Sequence, residues 1–221
     1  MRAILFDVYG TLIDIDRIGE AVEALFAGYG GTLSRLWRIK QIDYTRVRTL
    51  GGRHADFEAV TGDALDYAAE KLGLRLAPAD RTGLLAAYRG LPAYADVAPA
   101  LGTLRARGVR LGVLSNGTPG MVAASLGAAG LGEAFDPVLS IEAAGKYKTA
   151  PEAYALGTAA LGLGAAEVGF VSANGWDIAG ASWFGYRTFW VNRTGEPLER
   201  LGVTPDGRGR TLGELVAWAG G

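Results

Sequence analysis

Ala3-Ile4-Leu5-Phe6-Asp7-Val8-Tyr9-Gly10-Thr11-Leu12 opens the chain with an apolar run that ends on a carboxylate and a glycine turn. So short and unbroken a run reads as a strand buried on both faces, the habit of a parallel sheet. Asp7 stands where that strand stops, and Gly10 permits a tight reversal. An aspartate there is either a turn former or helix cap, or a carboxylate presented for chemistry. Thr11 favours the second reading, because its hydroxyl can hold a carboxylate oxygen. Tyr9, and not a second carboxylate, stands two residues after Asp7.

Further runs of the same kind lie far down the chain. Val109 to Leu114, Val168 to Val171 and Thr188 to Val191 read as strands, with Phe135 to Ser140 a weaker candidate. Helical stretches separate them, at roughly 97–107, 119–129, 151–162 and 176–184. That alternation argues a doubly wound α/β fold, a Rossmann-like parallel sheet. Residues 15–92 differ: they carry helix-like patterns (Ile18 to Phe26, Leu33 to Leu50, Phe57 to Leu72, Ala79 to Tyr88) and no convincing strand. The expected organisation is a core of residues 1–14 and 93–221 with a helical-bundle cap, 15–92, inserted after the first strand. Ligands of such sheets bind at the carboxyl ends of the strands. An inserted cap could close over that crevice and exclude water.

Composition narrows the function. The 221 residues are 49% hydrophobic, enough for a substantial core, and a net charge of -1 gives no footprint for nucleic acid. No apolar stretch is long enough to span a bilayer, and Asp7 interrupts the N-terminal run too early for a secretory signal. The expected setting is therefore the cytoplasm. The absence of cysteine rules out disulfides and thiol catalysis. A single histidine, His54, argues against a Ser-His-Asp triad, excludes a multi-histidine metal site within one chain, and receives no role.

Polar residues follow the other strands as Asp7 follows the first. Ser115-Asn116-Gly117 precedes a helix and offers either an ordinary cap or an anion cradle. Ser172-Ala173-Asn174-Gly175-Trp176-Asp177 repeats the arrangement, and Asp177 either suits the helix dipole or positions a water. Lys148, just before a helix starting near Pro151, is either a solvated surface charge or a cation aimed at the same edge, where it would keep Asp7 ionised. Tyr154 lies in that helix. Arg38 sits between Trp37 and Ile39, which suggests partial burial, and a buried guanidinium needs an anion.

Taken in order, Asp-x-Tyr-Gly-Thr-Leu, Trp-Arg-x-Lys-Gln, Leu-Ser-Asn-Gly, the Lys148 and Tyr154 pair, and Val-Ser-x-Asn-x-Trp-Asp resemble the L-2-haloacid dehalogenases of the haloacid dehalogenase superfamily. The resemblance covers nearly the whole chain. It implies hydrolysis of short (S)-2-haloacids to (R)-2-hydroxy acids and halide through an ester on Asp7. In that scheme Thr11 orients Asp7. The Val8 and Tyr9 amides with Ser115 bind the substrate carboxylate. Arg38 and Asn116 receive the halide, and Lys148 keeps Asp7 charged with Tyr154 beside it. Ser172, Asn174 and Asp177 hold the hydrolytic water, while Ile42, Phe57 and Trp176 form pocket walls. The implied partners are a 2-halocarboxylate and its halide product. Homodimerisation is common in that family, and a face of a cap helix could supply the contact. Relatives usually carry proline after the lysine, where this chain has Thr149, so the loop is expected to be slightly looser.

One argument separates this reading from phosphatases of the same fold. A departing alkoxide needs a proton, whereas a halide is a weak base and needs none. Tyr9 therefore suits halide and handicaps alkoxide. Phosphatases also bind Mg²⁺ through an acidic residue about four before the last aspartate. That position is Ala173, so no metal and no other cofactor is expected. The rival readings are a phosphatase and a non-catalytic binder of small anions.

Overall fold

Ala3 to Phe6 is fully buried and forms β1 (Ala3–Phe6), a strand with a parallel neighbour on each side. The structure, a computed structural model, describes residues 1–220. One six-stranded sheet runs in the order β3-β2-β1-β4-β5-β6, with β2 at Arg110–Ser115, β3 at Val138–Ser140, β4 at Val168–Ser172, β5 at Arg187–Val191 and β6 at Gly207–Gly209. Every pairing is parallel. The strand order reverses between β1 and β4, and that switch point is where such sheets open a crevice. Phe6 pairs with Val113 on one side and Val171 on the other. The register therefore brings Asp7, Ser115 and Ser172 out at one edge.

Between β1 and α5 (Val97–Ala106) lie α1 (Ile18–Leu25), α2 (Gly30–Leu50), α3 (Phe57–Lys71) and α4 (Pro78–Arg89). Their starts follow local chemistry: the Asp56 carboxylate accepts from the Ala59 amide at 2.7 Å, and Pro78 occupies a first-turn position of α4. The α1–α2 crossing is close, and a Cβ on Gly30 would stand 2.7 Å from the Gly19 carbonyl oxygen. The two chain crossings at the foot of this helical segment are stitched together. Asp14 donates its amide to the Pro92 carbonyl at 2.9 Å, and Tyr94 donates to Leu12 at 3.0 Å.

After β2 the chain continues through α6 (Pro119–Ala128), α7 (Pro151–Leu161), α8 (Gly175–Phe184) and α9 (Leu212–Ala219). The weak fifth strand shrinks to three residues at the sheet edge, and Phe135 instead packs its ring 5.8 Å from that of Phe6. β6 and α9 are elements that periodicity does not reveal. Gly207-Arg208-Gly209 has no apolar signal and is a strand because β5 pairs with it. α9 does carry a cue, the capping box of Thr211 and Glu214, with Leu212 and Leu215 buried behind it.

α7 and α8 meet through small residues. A Cβ on Gly180 of α8 would collide with the Tyr154 hydroxyl and stand 2.8 Å from Thr149. Helix propensity favours alanine there by about 1 kcal/mol. Overpacking a tight contact costs about 1–3 kcal/mol, so the clash wins. Gly180→Ala is therefore expected to lower unfolding free energy by up to about 2 kcal/mol. Urea denaturation checks this, and a gain in stability would show the interface to be looser than described.

Candidate active site

Asp7 is 6% exposed, and both of its carboxylate oxygens are held by donors. Oδ1 accepts from the Lys148 ammonium at 3.2 Å. Oδ2 accepts from the Thr11 hydroxyl and from Asn174 Nδ2, each at 3.0 Å. Gly10, at φ +89°, makes the reversal that returns Thr11 to Asp7. Thr11 Oγ1 also accepts from the Ala173 amide at 2.8 Å, which couples the turn after β1 to the turn after β4.

Lys148 is buried and joins two carboxylates. Its Nζ lies 2.9 Å from Asp177 Oδ2 as well as near Asp7, and stands 4.8 Å over the Phe170 ring. Burial alone would strip the ammonium of its proton, but the charges of Asp177 and Asp7 outweigh it and raise its pKa. Asp177 is pushed up to about 6, chiefly by burial, with Asp7 adding to the shift and Lys148 opposing it. Tyr154 donates to Asp177 Oδ1 at 2.7 Å, so this tyrosine orients the aspartate rather than the lysine. Burial first, and then the charge of Asp177, raises the Tyr154 pKa well above its ordinary value. The phenol stays neutral and donating.

The other expected residues fall into three groups. Ser115 accepts from the Gly117 amide at 3.1 Å, and its hydroxyl hydrogen has no acceptor among the described residues. Asn116 Oδ1 accepts from the Lys148 amide at 3.1 Å, which leaves its NH2 group free. Ser172 accepts from the Asn174 amide at 3.1 Å. Val8 and Tyr9 are buried, yet neither amide donates a hydrogen bond to another described residue. Buried amides are almost always paired, so this pair of donors is set up for an external acceptor.

Arg38 reaches in from α2. Its Nη2 lies 3.4 Å from the Tyr9 carbonyl and 3.5 Å from Asn174 Oδ1. Arg38 is half-buried, as its flanking residues suggested, although of the two only Trp37 is buried and Ile39 is 55% exposed on the opposite side of α2. Ile42 is half-buried and follows Arg38 by one helical turn, with Arg46 one turn further and stacked 5.2 Å from the Trp176 ring. Ile42 therefore lies on the strip of α2 that faces the turn after β4. Phe57 stacks on Tyr9, ring centres 5.9 Å apart. The Tyr9 hydroxyl is turned away to Ser125 at 3.2 Å, and burial raises its pKa. His54 contacts Glu142 at 3.0 Å, outside this cluster.

Two cavities flank the cluster, one of about 820 Å³ reaching Arg38, the other of about 640 Å³ reaching Asn174 and Trp176. Arg193, which sequence reasoning missed, lines the second. It donates to the Thr11 carbonyl at 2.8 Å and ion-pairs with Asp96 at 3.0 Å, bracing the turn that carries Asp7. Its position just past β5 was the available signal. Among the described residues no three His, Cys, Asp or Glu side chains converge, and Ala173 brings no side-chain oxygen to the turn after β4.

A family model for haloacid dehalogenase-like hydrolases matches residues 1–185. The chain belongs to that family. Among its haloacid dehalogenase-like relatives, the (S)-2-haloacid dehalogenase of Pseudomonas sp. (strain YL) is 40% identical over 216 residues, which is 98% of this chain and 93% of the relative. A crystal structure of an L-2-haloacid dehalogenase superposes with a TM-score of 0.98 at 45% identity, covering 100% of this chain and 99% of that one. The L-2-haloacid dehalogenase from Xanthobacter autotrophicus, solved with chloropropionic acid covalently bound, gives a TM-score of 0.93 at 35% identity, with 100% and 99% covered.

Removing the central cation tests the electrostatics directly. Lys148→Met leaves Asp7 and Asp177 buried together, and breaking such a pair costs about 3–5 kcal/mol. Asp177, already raised by burial, then loses the opposing charge of Lys148 and rises further above its unfolded value. The folded variant binds more protons than the unfolded chain, so its stability falls as pH rises. The deficit against the unsubstituted protein is expected to be largest at pH 8 and clearly smaller at pH 5, by urea denaturation at both. An equal deficit at the two pH values would contradict the coupling.

Proposed function

We propose that this chain is a metal-independent (S)-2-haloacid dehalogenase in which Asp7 is the nucleophile. An Asp7 oxygen attacks C2 opposite the carbon–halogen bond. The new C–O bond forms as the C–X bond breaks, the electron pair leaves with the halide, and configuration inverts. Water then attacks the Asp7 acyl carbon, and Asp177 accepts the water's proton. Collapse breaks the acyl C–O bond and returns that proton to the departing oxygen. Asp7, left as the acid with the water's second proton, gives that proton up to solvent and is a carboxylate again, and the (R)-2-hydroxy acid is released.

The observation that carries the proposal is the Asp7 carboxylate bridged to Asp177 through Lys148, with the Tyr9 hydroxyl pointing elsewhere. The position from which a phosphatase would hold Mg²⁺ is Ala173, which offers no side-chain oxygen. The unpaired Val8 and Tyr9 amides and the Ser115 hydroxyl suit the substrate carboxylate. Arg38 and the free NH2 of Asn116 suit the halide, and Ile42, Phe57 and Trp176 are its apolar surroundings. Ser172, with Asn174 and Asp177, would hold the water. Residues 1–14 and 93–221 serve as the catalytic core and 15–92 as the cap. A cytoplasmic homodimer completes the reading; no helix among the described residues is long and apolar enough to cross a membrane.

Chloride release from chloroacetate and L-2-chloropropionate is expected to persist in excess EDTA and to vanish in Asp7→Asn. Asp177→Asn is expected to form the ester but not resolve it, leaving an adduct on the Asp7 peptide by mass spectrometry. Because the Asp177 carboxylate is the working base, kcat should fall as pH drops through about 6. Full turnover by Asp7→Asn would remove the nucleophile assignment, and a flat profile between pH 8 and 5 would remove the base.

A further inference from the structure

Arg38 is held on its helical side by a buried network of neutral groups. Its Nη1 donates to Gln41 Oε1 at 2.6 Å, and the Tyr88 hydroxyl donates to the same oxygen at 3.3 Å. Gln41 Nε2 donates to Thr61 Oγ1 at 2.7 Å, and Thr61 spends its own hydrogen on the Phe57 carbonyl at 2.6 Å. Trp37 closes the network by donating to the Thr61 carbonyl at 2.8 Å. Gln41 has no exposed surface, and Thr61 is 1% exposed.

The polarity of the chain is determined at every link. Since the Thr61 hydrogen is committed to Phe57, Thr61 can only accept from Gln41. The Gln41 amide must then turn its nitrogen to Thr61 and its oxygen to Arg38. A flipped amide would oppose NH2 to guanidinium and leave both unsatisfied, at a cost of about 1–3 kcal/mol per buried group. Gln41 can hold Arg38 in only one orientation.

The partners of Arg38 share a second property. Gln41, the Tyr9 carbonyl and Asn174 are all neutral acceptors, and no carboxylate lies within ion-pair distance of Arg38 among the described residues. A carboxylate at position 41 would grip the guanidinium harder but would discharge it. We propose that Gln41 is a positioning residue for halide departure, aiming Arg38 while leaving its charge free for the leaving anion. This rests on Arg38 being the halide acceptor.

The test compares chloroacetate with bromoacetate, because chloride is the poorer leaving group and depends more on a cation receiving it. Gln41→Glu is nearly isosteric. Ionised, it pairs with Arg38; protonated, it reproduces the native pattern, with C=O toward Arg38 and O–H toward Thr61. Gln41→Met removes the acceptor while keeping the volume. Both variants are expected to lose tenfold or more in kcat/KM for chloroacetate and distinctly less for bromoacetate, raising the bromide-to-chloride ratio at least threefold. The activity of Gln41→Glu relative to the unsubstituted protein should also rise as pH falls.

Arg38→Ala is the reference and should shift the ratio further in the same sense. If it shifts the ratio and the Gln41 variants lose activity equally for both halides, Gln41 has only a structural role and the proposal falls. If Arg38→Ala leaves the ratio unchanged, the halide role of Arg38 falls with it. Should Gln41→Met fail to fold, the ratio and pH dependence of Gln41→Glu decide.

Discussion

An ammonium with no exposed surface, held between Asp7 and Asp177, sets the terms for everything around it. Burying three charges costs more than their attraction returns unless every remaining lone pair is satisfied. Here those lone pairs are satisfied: Thr11 and Asn174 serve Asp7, and Tyr154 serves Asp177. Each donor belongs to a different element. The register of three strands must hold, and α7 and α8 must approach closely enough for Tyr154 to reach Asp177. The glycine at 180 is a consequence of that approach, since a larger residue there would occupy the space of the Tyr154 hydroxyl.

Much of this was legible because it is local. A strand end carrying Asp7, Gly10 and Thr11 can be read from six consecutive residues, as can the turns after β2 and β4. Strand–helix alternation gave the doubly wound sheet for the same reason. The parts that escaped depend on contacts between distant segments. β6 is a strand only because β5 offers it an edge, and glycines cannot advertise that. Arg193 braces Thr11 across 182 positions of sequence. Tyr154 was placed beside Lys148 by the family resemblance, whereas its hydroxyl selects Asp177. Gln41 stood within a recognised motif, three residues after Arg38, a spacing that brings two side chains together on a helix. Its role shows only once Thr61 and Tyr88 arrive from α3 and α4.

The two cations of the site differ in how far they are neutralised, and the difference assigns their work. Lys148 faces two carboxylates, so it has little charge to offer a third anion. Its charge opposes the burial that pushes Asp177 up to about 6. Arg38 touches only neutral oxygens, so its charge is unspent. Tyr9 makes that division possible. Its ring stacks on Phe57 and packs at a tilt against Tyr88 with its hydroxyl on Ser125, while its carbonyl receives the guanidinium. Tyr9 thus adds a neutral oxygen to the cluster and no third carboxylate. In the proposed reading the tyrosine two residues after Asp7 therefore does more than dispense with a proton donor: it leaves the charge of Arg38 unopposed.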